Sequence, residues 1–331
     1  MSMSLKTHAG LATILVALAM PAAHANSYTI EDLGVNIIPF DINKGGIVVG
    51  FKRDKAVVVR NGLLRRLPFF EHAGIARAVN DHGDIVGSQT TPIQWSHVGG
   101  RQVLALPDGA SVGSASDIAG DGTAVGQFNF PGELFHTHCF RTLADGTSTN
   151  LGLLARGNDC SARGVNDRGD IVGEANMVPD GPMRAFLWRD GALRDLGTLG
   201  HGDTSMAVAI NDQGRIVGQS NIAPGGAAHA FAWKQGVMKD IGNSPDYSDT
   251  SANAINDRGE IVGDGARLQD GNFRALRFGD GAVISLEDEV QDLDDWLLIS
   301  ATSVNNDGII VGQAVRHGDE RLHGFLLRPL P

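Results

Sequence analysis

INDRGEIVG (255–263) is one of seven near-copies of a single phrase in this chain. VNDHGDIVG (79–87), VNDRGDIVG (165–173) and INDQGRIVG (210–218) repeat it plainly, while INKGGIVVG (42–50), IAGDGTAVG (118–126) and VNNDGIIVG (304–312) repeat it with changes. The first turn residues are Asn43, Asn80, Ala119, Asn166, Asn211, Asn256 and Asn305. They stand about 37–49 residues apart, a period that holds four short strands and their turns, as in propeller blades. Counting from that residue, every copy has Gly three positions on, Val six on and Gly seven on.

Asn-Asp-x-Gly reads as a tight hairpin. Asn and Asp bond their own backbone in turns, and the Gly suits the left-handed residue of a type I turn with a bulge. The β-branched pair that follows, such as Ile261-Val262, begins the returning strand. An acidic residue beside Gly also invokes calcium, but one Asp per copy falls short of the six or more oxygens that calcium takes. Four positions before the turn, six copies carry Ala76, Ala115, Ala162, Ala207, Ala252 and Ala301, and the first carries Pro39. This marks a crowded strand, expected nearest an axis where units converge.

After each anchor comes a variable loop, then an apolar strand such as RAFLW (184–188), HAFAW (229–233) or HGFLL (323–327). A Gly-containing turn and a short outer strand ending LRDLG (193–197) or MKDIG (238–242) complete the unit. No helical periodicity of useful length competes with this reading. The seventh unit ends without an outer strand, and YTIEDLG (28–34) supplies that pattern ahead of the first anchor. A closed ring explains such a split, and closure removes an exposed edge. The expected fold is therefore all-β: a seven-bladed propeller of four-stranded blades over residues 27–331. The alternative is an open β-solenoid.

Residues 1–25 read as a signal peptide, with Lys6, the apolar run LATILVALAM (11–20) and Ala23-His24-Ala25. Cleavage near Ala25 would send the protein to the periplasm or outside the cell. Ten apolar residues make about 15 Å of helix, too short to span a bilayer. No later segment is apolar enough to span. A formal net charge of −11 disfavours nucleic acid, whose phosphates want clustered Lys and Arg. Cys139 and Cys160 are the only cysteines. In an oxidising compartment they are either two buried thiols or one disulfide, nominally worth about 3 kcal/mol for a loop of this length.

AINDRGEIVG (254–263) taken with HAFAW (229–233) and its following DIG resembles the extracellular HAF-type repeat family, named for its His-Ala-Phe tripeptide. The match runs over the whole chain after the leader. It departs most at Ala119-Gly120 and Lys44-Gly45, where Asn-Asp is expected. The resemblance implies an exported bacterial repeat protein and carries no activity.

The Asn-Asp turns and the third-to-outer turns fall on one uniform face. The remaining loops vary and share the other face, where ligand-binding residues concentrate on rigid scaffolds. Candidate contacts there are His136, His201, Asp203, Asp246, Tyr247, Asp249, Asp292, Asp294, Asp295 and Trp296. His136 and His138 could chelate a metal if they share a strand face. The acidic run containing Glu287, Asp288 and Glu289 could take calcium, a basic partner or only water. No HExxH or phosphate loop is present. The expectation is a non-catalytic, monomeric binding module for an extracellular protein, peptide or glycan. The alternatives are a hydrolase or lyase acting on polysaccharide, and a structural surface protein. Carboxylates converging with a His or Arg at the channel would favour the enzyme.

Overall fold

The computed structural model describes residues 27–68, 74–98, 100–133, 136–279 and 281–331, so the expected leader (1–25) lies outside them. The chain is a seven-bladed β-propeller, every blade a four-stranded antiparallel sheet. Blades 1 to 6 span 37–66, 75–103, 112–150, 160–195, 205–240 and 247–285. Blade 7 takes three strands from 296–329 and its fourth from Tyr28–Val35. That N-terminal strand runs antiparallel to Asp319–Pro329, from Tyr28 opposite Pro329 to Val35 opposite His323. An open solenoid is excluded.

The repeated phrase builds the hairpin at the inner edge of each blade. In the first copy Asn43 Oδ1 accepts from Ile47 N, and Gly46 N donates to Asn43 O with Gly46 at φ +73°. Every blade carries a bulge just before the turn, between the fourth and second residues upstream of the Asn site. A bulge sharpens the local twist and turns its two residues the same way, here toward the axis. The upstream alanines are buried to 1% exposure or less and wedge between neighbouring blades rather than into the channel. They face the last Gly of the phrase, as Ala207 faces Gly218. On the other side that Gly faces the large apolar residue of the third strand, as Gly218 faces Phe231. Phe140, Phe186, Phe231 and Phe325 are fully buried there, each contributing roughly 1.5–3 kcal/mol of hydrophobic stabilisation.

The repeat Asn has a second task, across blades. Its Nδ2 donates to the backbone carbonyl of the corresponding residue one blade on: Asn43 to Asn80 O, Asn80 to Ala119 O, Asn166 to Asn211 O, Asn211 to Asn256 O and Asn256 to Asn305 O. Asn305 returns the circle to Asn43 O at 3.0 Å. Only Ala119 has no amide to offer. At that junction Cys139 of blade 3 is disulfide-bonded to Cys160 of blade 4, with Cα atoms 5.2 Å apart.

The tripeptide His and the outer-strand Asp also meet. His229 Nδ1 lies 2.8 Å from Asp240, and Arg184 takes the same place against Asp195 at 3.2 Å. The same pair closes the ring, because His323 Nδ1 reaches Asp32 at 3.1 Å. These aspartates also accept from Gly two residues on, which accounts for the Asp-Leu-Gly ending.

Candidate functional site

The innermost strands line a channel on the propeller axis, holding a cavity of about 530 Å³. Their bulged residues decide its chemistry. At the second position before the Asn site stand Asp41, Ala78, Asp117, Gly164, Ala209, Ala254 and Ser303; one position earlier stand Phe40, Arg77, Ser116, Arg163, Val208, Asn253 and Thr302. All of these except Gly164 border this cavity. The two cationic side chains lie on one side. Blades 2 to 4 contribute Arg77, Ser114, Ser116, Gln127, Ser161 and Arg163, whereas blades 5 to 7 mix apolar Val208, Ala209, Ala254 and Val304 with polar Asn253, Thr302 and Ser303.

Asp41 and Asp117 are half-buried in this space. Asp41 accepts from Ile42 N and Ser303 Oγ through Oδ1 and from Val79 N, in the next blade, through Oδ2. Asp117 accepts from Ile118 N and from Val165 N, likewise one blade on. Burial raises the Asp41 carboxyl above its ordinary range against these bonds. Burial, with the like charge of Asp41 added, pushes Asp117 up to about 7. A carboxyl titrating near neutrality can hold or release a proton.

Arg77 projects into the channel with its guanidinium 5.0 Å above the Phe40 ring. Burial and the neighbouring Arg163 charge lower its affinity for the proton. Arg163 is anchored by Glu174, at 2.5 Å from Nη2 and 3.2 Å from Nε. Ser161 Oγ donates to Gln127 Oε1 at 2.7 Å. Two carboxyls and two guanidinium groups thus line one channel. A smaller hollow of about 200 Å³ shares Ser114 and Gln127 with it and continues past Val112 and Asn129 toward the variable face.

At the uniform face the ring gathers Asp81, Asp167, Asp212 and Asp257 around one opening. The Asp that follows the turn Asn in four of the seven copies is thus gathered around one axis, which a count within a single turn does not reveal. Each, however, gives an oxygen to a backbone N–H of the preceding blade: Lys44, Gly120, Asp167 and Asp212.

The loop residues expected on the variable face are dispersed over the junctions and outer edges of blades 3 to 7. His136 and His138 do not share a ligand: His136 Nδ1 faces Asp159 at 3.4 Å, and His138 Nε2 faces Glu133 at 2.9 Å. His136 lies before the strand begins at His138, so the alternation rule does not apply to it. His136, Asp159 and Asp180 do bring one ligand atom each within 4.8 Å of one another, a set that could hold a divalent cation.

Asp203 accepts from Asn221 Nδ2, and Asp249 accepts from Ala228 N of the preceding blade, so both act as clips. His201 donates its backbone N–H to Ile222 O. Asp246 and Tyr247 border an outer hollow with Arg267 and Asp288, where burial raises the Tyr247 hydroxyl. Asp292 and Asp294 occupy left-handed turns at φ +50°. Asp295 pairs with Arg316 at 2.9 Å, and the same guanidinium covers Trp296 at 5.0 Å. Two carboxylates of the acidic run are taken up internally: Glu289 is buried against Arg277, and Glu287 accepts from Leu298 N, while Asp288 stays exposed.

Asp41, Arg77, Asp117 and Arg163 were absent from the sequence candidates. Their signal was legible in register: charged residues at inner-strand positions where the other copies carry mainly small, apolar or neutral polar ones.

No protein-family model matches the chain, and no curated protein matches it in sequence. In fold it is similar to the Pyrococcus horikoshii acylaminoacyl peptidase, at a TM-score of 0.56 and 12% identity, over 90% of this chain and 52% of that one. It is also similar to a Mycobacterium tuberculosis puromycin-hydrolyzing peptidase, at a TM-score of 0.51 and 11% identity, over 86% and 49%. The chain spans about half the length of these peptidases. Likeness at such identity shows the propeller fold alone.

Proposed function

We propose that this protein is an exported binding module of the HAF-repeat type whose ligand enters the channel from the variable face. One observation carries the reading: the repeated residues are consumed in holding the ring, while unrepeated inner-strand residues line an open polar cavity on its axis. Invariant positions are thereby structural, and the differing ones present unequal walls to a ligand. A volume near 530 Å³ falls among small-molecule sites, roughly 300–1,000 Å³.

A glycan and peptide array probed with the full chain should give hits that Arg77→Gln weakens; hits indifferent to every channel substitution would remove the channel from the reading. Export is tested by fractionating cells that carry a C-terminally tagged copy. Tagged protein starting near residue 26 in the periplasm or medium supports it, and a full-length cytoplasmic product overturns it.

A second reading is favoured by Asp41 and Asp117, two carboxyls on one channel with Asp117 titrating near 7. In a polysaccharide hydrolase or lyase Asp117 would serve as the proton donor. Depolymerising activity lost in Asp117→Asn, with array binding retained, would select this reading over the non-catalytic one.

A further inference from the structure

We propose that the channel takes the hexuronate end of an acidic oligosaccharide, its carboxylate held by Arg77 and Arg163. This deepens the binding-module reading and rests on it. Arg77 is in contact with the Phe40 ring and faces Arg163, with no carboxylate partner among the described residues. A solvent-exposed guanidinium beside like charge in the channel is a site for an oxyanion, which its planar fork takes through two parallel bonds. Arg163 is pre-oriented for the same group, because Glu174 holds its Nε and Nη2 and leaves Nη1.

The surrounding groups select a sugar acid over a simple anion. The Ser114 and Ser116 hydroxyls make no side-chain hydrogen bond among the described residues, and the Gln127 side chain has given only its Oε1 to Ser161. Hydroxyls and an amide on one wall suit a ring bearing several hydroxyls. Asp117 and Asp41, next in sequence to Ser116 and Phe40, can accept further hydroxyl bonds. Across the channel Val208, Ala209, Ala254 and Val304 offer apolar surface for a sugar's C–H face, interspersed with the polar Asn253, Thr302 and Ser303. A peptide C-terminus would use the arginines but leave the hydroxyl wall and the aspartates unmatched.

The test is titration calorimetry of the full chain with three probes: trigalacturonate, its methyl ester and a tripeptide with a free carboxylate. Trigalacturonate should bind, at least tenfold more tightly than the neutral ester, and more weakly as salt is raised. Arg77→Gln should cost at least tenfold and Arg77→Lys less, with circular dichroism showing both variants folded. Equal binding of the ester, unchanged affinity in Arg77→Gln, or preference for the tripeptide would each overturn the proposal. If trigalacturonate fails while another array ligand binds the channel in an Arg77-dependent way, the sugar assignment falls and the module stands. If no ligand is found by either route, both fall.

Discussion

Gly218 shows why the last position of the repeated phrase never carries a side chain. A Cβ built there would lie 2.0 Å from Met206 O, because the inner-strand bulge brings that carbonyl over the second strand. The same approach recurs in every copy, from 1.9 to 2.1 Å. Gly218→Ala should therefore destabilise by about 3 kcal/mol or more. Gly225→Ala, at φ +65° with nothing near its Cβ, should cost only roughly 1–2 kcal/mol. Denaturant unfolding of the two variants checks the contrast. Asp117 makes a pH prediction. Its carboxyl titrates near 3.8 in the unfolded chain and about 7 in the folded one. Below about pH 4 both states are protonated. As pH rises toward 7 the unfolded chain ionises first, so this residue lowers stability across that window, and the loss is complete above about 7. Asp117→Asn should flatten the fall in unfolding free energy between pH 4.5 and 7.5 by roughly 1–4 kcal/mol. An unchanged slope would place the carboxyl in a wetter setting. The glycines and the turn Asn were legible in sequence because backbone geometry admits few residues there. Asp117 and Arg77 stand out in register as charged residues, but what they do depends on the neighbours that they meet across the axis.

Each blade is tied to the next by devices that a single copy of the phrase cannot display. The Asn Nδ2 staple joins blade 3 onward from blade 2 and joins every other pair except blades 3 and 4, where Ala119 interrupts it. The disulfide Cys139–Cys160 spans that same junction, supported by Asp117 on Val165 N and Asp167 on Gly120 N. Reduction should lower the unfolding free energy by about 3 kcal/mol. Ala119→Asn should restore the missing staple and return about 1 kcal/mol, more in the reduced protein than in the oxidised one if the two ties share a seam. Equilibrium unfolding with and without reductant measures both. An Ala119→Asn variant no more stable than the parent in either state would show that the seam does not need the amide. The two cysteines suggested a bridge from the sequence, but that it substitutes for a worn repeat emerges only when blades 3 and 4 are side by side.

Closure governs the molecule as a whole. The strand Tyr28–Val35 fills the outer edge of blade 7, and Asp32 gives His323 the partner that Asp240 gives His229. Removing residues 28–35 exposes the edge of Asp319–Pro329 and strands a buried histidine, so the variant should unfold or self-associate. Size-exclusion chromatography and a melting curve decide the outcome; a monomer of unchanged melting temperature would contradict a velcro role for this strand. The sequence by itself determined seven units, their hairpins, the two-ended last blade and hence the ring, because each depends on local backbone geometry repeated in register. Only the tertiary structure decided which residues face one another. It engaged Asp203, Asp249 and Asp295 in holding the ring itself, gathered four aspartates at one mouth of the channel, and set Arg77, Arg163, Asp41 and Asp117 around one cavity. The physical reason is that the bulge and the rotation from blade to blade bring together residues dozens of positions apart. A repeat read along the chain shows the rotation's existence but not what meets at its axis.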